Sequence, residues 1–465
     1  MTDDTNKSLR RVFWIIAVLF ALLAFNIIKM VVLDSKDYVT NSYNPRLSYD
    51  DPNVKRGSIL DRNGTVLVES VLNDGEYVRK YNYDKSACHI TGYTGYGKAG
   101  AEAEENFILS KPKDEVYQRF KNLIDGSEIE GSSIRLTIDI ELNEYASGLF
   151  KNQKGAVVAI DPKTGEILAM VSSPSYDPNT IYENWNDIKD DSESPLINRA
   201  TSGLYPPGSI FKLVTATAAI EYMADYESYS YNCTGSVNIN DRLIKCYNGK
   251  AHGNVDFKKA FAYSCNCAFV DIAGKIGPSA LINVANRLLF NTNYDFDLSH
   301  SVSSFKLTEG NSSKYLADTA IGQGETLVTP LHMAILVSAV ANEGVAVSSY
   351  IIKSKIGYGM FKSENVHGKS NETVLFSTKT AGLLKEMMLD VVNYGTGTAA
   401  GASGYDIAGK TGTAQNAKEK DHSWFIGFAP YDDPKIAVAV VIENAEGGAS
   451  AASIAKKVID KYINK

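Results

Sequence analysis

The longest apolar run of the chain covers residues 12–33 and is interrupted only by Asn26 and Lys29. A helix needs roughly 20 apolar residues to cross a bilayer, and basic residues before it favour the cytoplasmic side. This run directly follows Lys7, Arg10 and Arg11. We therefore expect a cytoplasmic tail (1–11), one helix through the plasma membrane (12–33) and an extracytoplasmic remainder. A cleaved signal peptide is the alternative, but its apolar region is usually shorter, about 7 to 15 residues.

Two stretches place turn residues between alternating apolar runs and predict β-hairpins. In residues 56–70 the turn is Asn63-Gly64, because both residue types tolerate positive φ. In residues 155–174 the turn residues are 161–166. This second turn contains the first Lys-Thr-Gly string of the chain.

From residue 206 the pattern becomes helical, with prolines first, an Ala-rich middle and apolar spacings of three and four. Later helices are predicted over 257–275, 329–341, 377–392 and 449–463, and β-branched runs over 424–430 and 435–444 predict adjacent antiparallel strands. We expect an α/β (α+β) fold: an extended β-rich module over 34–135, then a domain over 136–465 with a central antiparallel sheet flanked by helices.

Composition and charge exclude one class of partner. The 465 residues are 44% hydrophobic and 22% charged, as in ordinary globular proteins with two or three domains. The formal net charge is −7 and the chain has no long basic run. Phosphate binding needs clustered Lys and Arg, so we expect no nucleic-acid partner.

Ser209 and Lys212 form the first candidate for chemistry. A lysine three residues after a serine lies on the same face of a helix, where it can take the hydroxyl proton. The Pro-Gly bend before Ser209 places it at a helix start, whose dipole favours a negatively charged oxygen. A second cation would help to keep Lys212 neutral, and we expect Lys410 to be that cation. A solvated helix turn is the alternative, since Ser-x-x-Lys also occurs at Ser110, Ser303 and Ser453.

Ser264-Cys265-Asn266 is the second candidate. Ser and Asn favour helix caps, which is the structural interpretation. A hydroxyl and an amide two residues apart also suit proton relay and binding of a substrate amide.

Lys410-Thr411-Gly412-Thr413 is the third candidate and predicts an edge strand. Lys410 and Gly412 share one face of such a strand, and a glycine there leaves room for a substrate backbone along the edge. Thr413 can offer its N–H to an oxyanion and its hydroxyl to a carboxylate.

The three motifs in this order, with their surroundings, resemble the class B penicillin-binding proteins, which are D,D-transpeptidases. The likeness extends from about residue 56 to the end of the chain, through the segments RGSILDRNG, AIDPKTGEILAMVSSPSYDPN, NRATSGLYPPGSIFK, AHGNVDFKKAFAYSCNCAF, AIGQGETLVTPLHMA, YGTGTAA and AGKTGTAQ. It implies that Ser209 is the acylated nucleophile and Lys212 its base, with Ser264 and Asn266 as proton shuttle and amide clamp. It further implies that Lys410, Thr411 and Thr413 bind the substrate carboxylate, and that the N–H groups of Ser209 and Thr413 form the oxyanion hole.

The resemblance also implies the reaction and the partners. The serine attacks the D-Ala-D-Ala bond of a peptidoglycan stem peptide, and the amine of a neighbouring stem resolves the acyl-enzyme. β-Lactams acylate the same serine. About 100 residues between anchor and catalytic domain are too few for a glycosyltransferase domain, so a separate membrane glycan polymerase is expected. The alternatives are a D,D-carboxypeptidase or β-lactamase-like hydrolase, and a catalytically silent β-lactam sensor or scaffold.

Four of the five cysteines, Cys233, Cys246, Cys265 and Cys267, lie in one stretch with His252. The chemistry expected above needs no cofactor, but these residues allow a structural zinc held by Cys246, His252, Cys265 and Cys267, because zinc prefers thiolate and imidazole ligands. Cys267 with Asp271 at helical spacing offers another combination. A Cys233–Cys246 disulfide is the rival interpretation, and free buried thiols are a third.

Overall fold

The computed structural model describes residues 3–32, 54–110, 115–126, 128–357, 364–365, 371–415, 420–445 and 450–465. Its helices are α1 Asp3–Val32, α2 Asp84–Thr91, α3 Gly100–Glu104, α4 Asn106–Ser110, α5 Glu115–Asp125, α6 Ile140–Gly148, α7 Ile181–Lys189, α8 Lys212–Tyr222, α9 Phe257–Ala262, α10 Asn266–Arg287, α11 Ser313–Ala320, α12 Pro330–Ala341, α13 Thr378–Asn393 and α14 Ala451–Ile463.

Its strands are β1 Val54–Lys55, β2 Ile59–Leu60, β3 Val66–Asn73, β4 Glu76–Tyr81, β5 Thr94–Gly95, β6 Gly97–Lys98, β7 Ile129–Glu130, β8 Ser133–Leu136, β9 Gly155–Ile160, β10 Ile167–Ser173, β11 Ser230–Cys233, β12 Ser236–Ile239, β13 Arg242–Lys245, β14 Gly253–Asp256, β15 Val345–Val347, β16 Ile352–Ile356, β17 Glu364–Asn365, β18 Glu372–Val374, β19 Ala408–Ala414, β20 His422–Ala429 and β21 Ile436–Ile442.

The larger, C-terminal part of the chain is built on a five-stranded sheet in the order β10-β9-β21-β20-β19, with every neighbouring pair antiparallel. Every residue of β21, reading IAVAVVI, is buried, because helices cover both faces. The helix α12 packs on one face of β21 and α14 on the other. The predicted helix-flanked antiparallel sheet is confirmed, and β19 is its edge.

A second sheet of six strands has the order β17-β16-β8-β2-β3-β4. The predicted hairpin over residues 56–70 is confirmed there, with Gly64 at φ +94° in the turn between β2 and β3. The strand β16, from much later in the chain, pairs with β8. The expected division between residues 135 and 136 therefore does not follow this sheet, because it cuts through β8 and separates it from β16.

The other predicted elements fall close to those of the structure. The hairpin over residues 155–174 is β9 and β10, with Gly165 at φ +76°. The predicted helices over 329–341, 377–392 and 449–463 correspond to α12, α13 and α14. The helix predicted over 257–275 is wrong as one piece, since α9 ends at Ala262 and α10 begins at Asn266.

Within the described residues, two helices are long and apolar enough to cross a membrane. One is α1, whose apolar side chains from Val12 to Ile27 are largely exposed. The other is α10, which is half buried in the core and therefore has the surroundings of an internal helix.

Candidate active site

Ser209 lies in a 3₁₀ turn, Gly208–Phe211, and α8 begins directly after it at Lys212. We expected Ser209 in the first turn of an α-helix, but the structure has a 3₁₀ turn there, which is tighter. In such a turn residues three apart, such as Ser209 and Lys212, are eclipsed. Lys212 Nζ lies 3.2 Å from Ser209 Oγ. A backbone hydrogen bond fixes the start of this turn: the N–H of Gly208, which has φ +53°, donates to Gly322 O at 2.9 Å.

Lys212 is the centre of the site and is fully buried. Its Nζ donates to Ser264 O at 2.7 Å and to Asn266 Oδ1 at 2.7 Å, and lies 3.1 Å from Ser264 Oγ. Burial lowers the pKa of Lys212 to about 8, against a smaller opposing effect of nearby cysteine thiols, Cys265 first. A lysine with such a pKa can give up its proton near neutral pH, as a general base must.

The loop that carries Ser264 interrupts the helical pattern between α9 and α10. Ser264 has φ +55°, a left-handed conformation that is costly for a residue with a side chain. Cys265 caps α10, with its Sγ accepting from Ala268 N at 3.5 Å. The amide of Asn266 is already held at both ends, because its Nδ2 donates to Lys245 O at 2.8 Å. The Ser264-Cys265-Asn266 segment therefore both caps α10, through Cys265, and contacts Lys212, through Ser264 and Asn266.

Lys410 enters the same site from the edge strand β19 and is also fully buried. Its Nζ donates to Ser264 Oγ at 3.0 Å and to Thr411 O at 2.9 Å. Burial and then the charge of Lys212 hold the pKa of Lys410 well below its ordinary value. The expected repulsion between the two ammonium groups therefore acts on Lys410, whereas burial is the main cause of the lowered pKa of Lys212.

Gly412 has a different role from the one expected. A Cβ there would lie 2.9 Å from Ile210 Cγ2 and 3.1 Å from Pro207 O. The space beside Gly412 is thus filled by the turn that carries Ser209, and the missing side chain lets this turn approach the strand. A Cβ on Gly208 would likewise lie 2.4 Å from Thr413 O. Gly412 on the strand faces the turn, and Gly208 on the turn faces the strand. Because neither has a side chain, Ser209 and Thr413 can be neighbours.

The competing strings do not form such a site. Lys163, of the first Lys-Thr-Gly, lies in the turn between β9 and β10 and pairs with Asp433. Lys306 pairs with Glu325 on the surface, and Lys456 pairs with Asp460, where both side chains are partly buried. Lys113 lies outside the described residues.

The cysteine cluster lies directly behind the Ser264 loop, and neither its four cysteines nor Cys88, which lies elsewhere, form a disulfide in the structure. Cys233 Sγ lies 3.7 Å from Cys246 Sγ and 3.5 Å from His252 Nδ1, and Cys246 Sγ lies 3.8 Å from Cys265 Sγ. The ligand atoms of these four residues all lie within 4.8 Å of one another. The structure therefore groups Cys233 with three of the predicted ligands.

Two of the predicted ligands are placed differently. Cys267 lies 3.5 Å from Cys246 Sγ but is not part of the group of four. Asp271 accepts from the Tyr229 hydroxyl at 3.0 Å and pairs with Lys275, and it is not part of that group either. Hydrogen bonds from Cys265 and then Cys267 hold the pKa of Cys246 well below its ordinary value.

Sequence reasoning missed the place of three residues of this region, among them Cys233, which was expected only as a disulfide partner of Cys246. Gly208 could have been found, since a glycine directly before a reactive serine suggests a close approach. Cys233 is brought to His252 by the pairing of β11 with β14, in which Cys233 faces Gly253. Thr396 lies 2.6 Å from the hydroxyl oxygen of Thr411, from a loop 15 residues earlier in the chain.

Comparison with known proteins matches both parts of the chain. Residues 155–460 match the family model of the penicillin binding protein transpeptidase domain, and residues 56–134 that of the penicillin binding protein A dimerisation domain. The peptidoglycan D,D-transpeptidase PbpA of Mycolicibacterium smegmatis is 30% identical, with 98% of each chain covered.

Two solved structures have the same fold. Penicillin-binding protein A from M. tuberculosis, as its imipenem acyl-enzyme complex, has a TM-score of 0.81 and 30% identity, covering 88% of this chain and 99% of that one. The D,D-transpeptidase domain of a peptidoglycan glycosyltransferase from Eggerthella lenta has a TM-score of 0.80 and 31% identity, covering 89% and 99%. With its three motifs assembled around Lys212 and this match over nearly its full length, the chain belongs to the class B penicillin-binding proteins.

Proposed function

We propose that this protein is a peptidoglycan D,D-transpeptidase that works through an acyl-enzyme on Ser209 and is acylated there by β-lactams. One observation carries the assignment of residues: a buried lysine, Lys212, has its Nζ within hydrogen-bonding distance of Ser209 Oγ, Ser264 Oγ and Asn266 Oδ1. Nucleophile, base and proton relay therefore meet at one nitrogen atom. The relatives named above carry the same activity in their names or are known as β-lactam acyl-enzymes.

In the first half-reaction Ser209 Oγ attacks the carbonyl carbon of the penultimate D-alanine, and its proton passes to Lys212 Nζ. The intermediate then expels the terminal D-alanine, whose nitrogen takes up a proton. Ser264 is placed to relay that proton, because its hydroxyl oxygen lies 3.1 Å from Lys212 Nζ and 3.0 Å from Lys410 Nζ. General acid and base groups of this kind typically contribute about 10²- to 10⁴-fold in rate.

In the second half-reaction the amine of a neighbouring stem peptide attacks the ester carbonyl. The nitrogen loses a proton, the C–O bond to Ser209 breaks, and the serine oxygen is reprotonated. The N–H groups of Ser209 and Thr413 are proposed to hold the oxyanion in both halves, since the two residues lie side by side across Gly208. Lys410, Thr411 and Thr413 are proposed to bind the terminal carboxylate, on the open edge of β19.

Labelled benzylpenicillin tests the assignment. We expect one label per chain on Ser209, none in Ser209→Ala or Lys212→Ala, and full labelling in Ser453→Ala. The last variant is a matched control, because Ser453 begins another Ser-x-x-Lys string of this chain. Full labelling of Ser209→Ala would overturn the assignment.

A peptidase assay separates transferase from hydrolase. With a D-Ala-D-Ala donor and an amine acceptor, a transpeptidase forms the cross-linked product, whereas a carboxypeptidase releases only the hydrolysed donor. An acyl-enzyme that turns over to neither product would support a sensor or scaffold.

We also propose that α1 anchors the protein in the plasma membrane, with the N-terminus in the cytoplasm and the catalytic domain outside. Support comes from the exposed apolar surface of α1 and from the basic residues Lys7, Arg10 and Arg11 before its apolar part. A separate glycan polymerase in the same membrane is proposed to supply the glycan strands. Cross-linking in membranes followed by isolation of the protein tests for that partner.

We further propose that Cys233, Cys246, His252 and Cys265 hold a structural zinc ion. Sulfur ligands about 2.3 Å from a tetrahedral zinc lie roughly 3.8 Å from one another, and the separations here are 3.7 and 3.8 Å between sulfurs and 3.5 Å to the imidazole. Bound zinc would join the Ser264 loop at Cys265 to the end of β13 at Cys246. The catalytic steps above use protein groups alone.

Metal analysis of protein purified without chelator tests this proposal. We expect one zinc per chain and thiols that react only after the metal is removed. Protein without zinc, whose thiols react only after reduction, would support the disulfide instead. Protein without zinc whose thiols react directly would support free cysteines.

A further inference from the structure

A threonine outside the three motifs contacts the strand proposed to bind the substrate carboxylate. Thr396 Oγ1 lies 2.6 Å from Thr411 Oγ1. Thr396 comes from the loop that follows α13, and the residue is exposed. This contact is the starting point for an inference that rests on the proposed function and specifies how the enzyme recognises its donor.

The loop around Thr396 is held in place by its backbone. Thr396 N donates to Ala262 O at 3.1 Å, at the end of α9 and next to the Ser264 loop. A Cβ on the preceding Gly395 would lie 2.3 Å from that same carbonyl oxygen, so the two segments touch. The neighbouring N–H groups donate back to α13, Gly395 to Asp390 O at 3.1 Å and Gly397 to Val391 O at 2.8 Å. The backbone that carries Thr396 is thus fixed between α9 and α13.

The direction of the hydrogen bond follows from the chemistry of the ligand. Each hydroxyl has one proton to donate, and a carboxylate only accepts. If Thr411 is to donate to a carboxylate, its proton has to point to the ligand, and the short contact with Thr396 then requires Thr396 to be the donor. We propose that Thr396 is a positioning residue, which donates to Thr411 and so directs the Thr411 hydroxyl proton at the terminal carboxylate of the substrate.

This arrangement makes the enzyme selective for donors that end in a free carboxylate. An ester or amide at the same position is a weaker acceptor, so it gains less from an oriented Thr411 proton. Removing the Thr396 hydroxyl therefore slows acylation by the free acid while leaving acylation by the ester almost unchanged.

The experiment compares benzylpenicillin with its methyl ester by their second-order acylation rate constants on Ser209. We expect Thr396→Val to lower the ratio of acid to ester about fivefold, the usual size of one oriented hydrogen bond. Thr396→Ser keeps the hydroxyl and should keep the ratio. Thr398→Val is the matched control, since Thr398 lies on the same loop and makes no hydrogen bond to β19 among the described residues.

Three results would overturn the inference. One is an unchanged ratio in Thr396→Val, and another is an equal loss for acid and ester, which would show a general distortion of the site. The third is a further change of the ratio when Thr396→Val is added to Thr411→Val, because the effect is proposed to act through Thr411. Failure of the proposed function is distinguished from these results, since the wild-type protein would then not be acylated by either ligand.

Discussion

Lys212 and Lys410 both reach the hydroxyl oxygen of Ser264, with their Nζ atoms 3.1 and 3.0 Å from Ser264 Oγ. Both lysines are fully buried, and the charge of Lys212 contributes to the lowered pKa of Lys410. Two ammonium groups this close are stable only if at least one is often neutral. The repulsion favours the neutral form of Lys410, whereas burial lowers the pKa of Lys212, the lysine beside Ser209 Oγ, to about 8.

The first prediction concerns pH. A neutral Lys212 is the reactive form, so acylation by benzylpenicillin should become faster as pH rises and level off above the pKa of Lys212. Because that pKa is about 8, the half-maximal rate should fall near pH 8. Stopped-flow acylation between roughly pH 6 and pH 10 measures the profile. A rate that keeps rising up to the ordinary lysine pKa would contradict Lys212 as the base in this environment.

The second prediction concerns the strained backbone of Ser264. Both Ser264→Ala and Ser264→Gly remove the hydroxyl that joins the two lysines, and each should slow acylation about 100-fold or more. Their stabilities should differ, because Ser264 has φ +55°. Glycine adopts this conformation freely, so Ser264→Gly should be more stable than Ser264→Ala by about 1 kcal/mol in chemical denaturation. Equal stabilities would contradict a strained loop.

The elements that the sequence pattern predicted well are those whose burial is periodic or continuous. The strand β21 and the helix α12 read as apolar runs because each is packed on both sides. The helical pattern over 257–275 gave no break at Ser264, although the helix-cap interpretation of Ser264-Cys265-Asn266 did, because apolar spacing continues through it and Ser264 is held by a contact with Lys212, far away in the chain. Residue spacing likewise led to Cys267 as an expected zinc ligand, whereas the pairing of β11 with β14 brings Cys233, and not Cys267, beside His252.

The third prediction separates those two ligand sets. If zinc is bound by Cys233, Cys246, His252 and Cys265, Cys233→Ser should lose most of the metal. Cys267→Ser should keep it, although Cys267 Sγ is only 3.5 Å from Cys246 Sγ. Elemental analysis of both purified variants measures the zinc content, and Cys88→Ser serves as a control because Cys88 lies in another part of the chain, beside His89. Loss of zinc in Cys267→Ser with retention in Cys233→Ser would restore the set expected from spacing.

The fourth prediction concerns the close approach of the Ser209 turn to β19. A Cβ on Gly208 would lie 2.4 Å from Thr413 O, so Gly208→Ala must push the turn away from the strand. We expect a loss of about 2–4 kcal/mol in the free energy of unfolding and at least about a tenfold slower acylation. Gly404→Ala is the control, since Gly404 also has positive φ but has no atom within 4 Å of the added Cβ. Acylation as fast in Gly208→Ala as in Gly404→Ala would contradict this role of the turn.

The fifth prediction concerns a buried ion network in the N-terminal module. Glu102 has no exposed surface, and its two carboxylate oxygens accept from Arg56 Nε and Arg79 Nε at 2.6 Å each. Burial alone would raise the pKa of Glu102, but the charges of Arg79 and Arg56 outweigh it and lower the pKa below the ordinary 4.5. Glu102→Gln leaves two largely buried guanidinium groups without their counter-charge, which should cost about 3–5 kcal/mol of stability.

The same network determines how stability responds to acid. Because the folded pKa of Glu102 is lowered, its contribution is present above pH 4.5 and is lost as the pH falls through the folded value. Wild-type protein should therefore lose stability between roughly pH 5 and pH 3 more steeply than Glu102→Gln in denaturant titrations. Glu386→Gln is the matched control, since the Lys258–Glu386 pair is half exposed and such pairs contribute about 0–1 kcal/mol. If Glu102→Gln and Glu386→Gln lower the free energy of unfolding by the same small amount, the buried network does not stabilise the module.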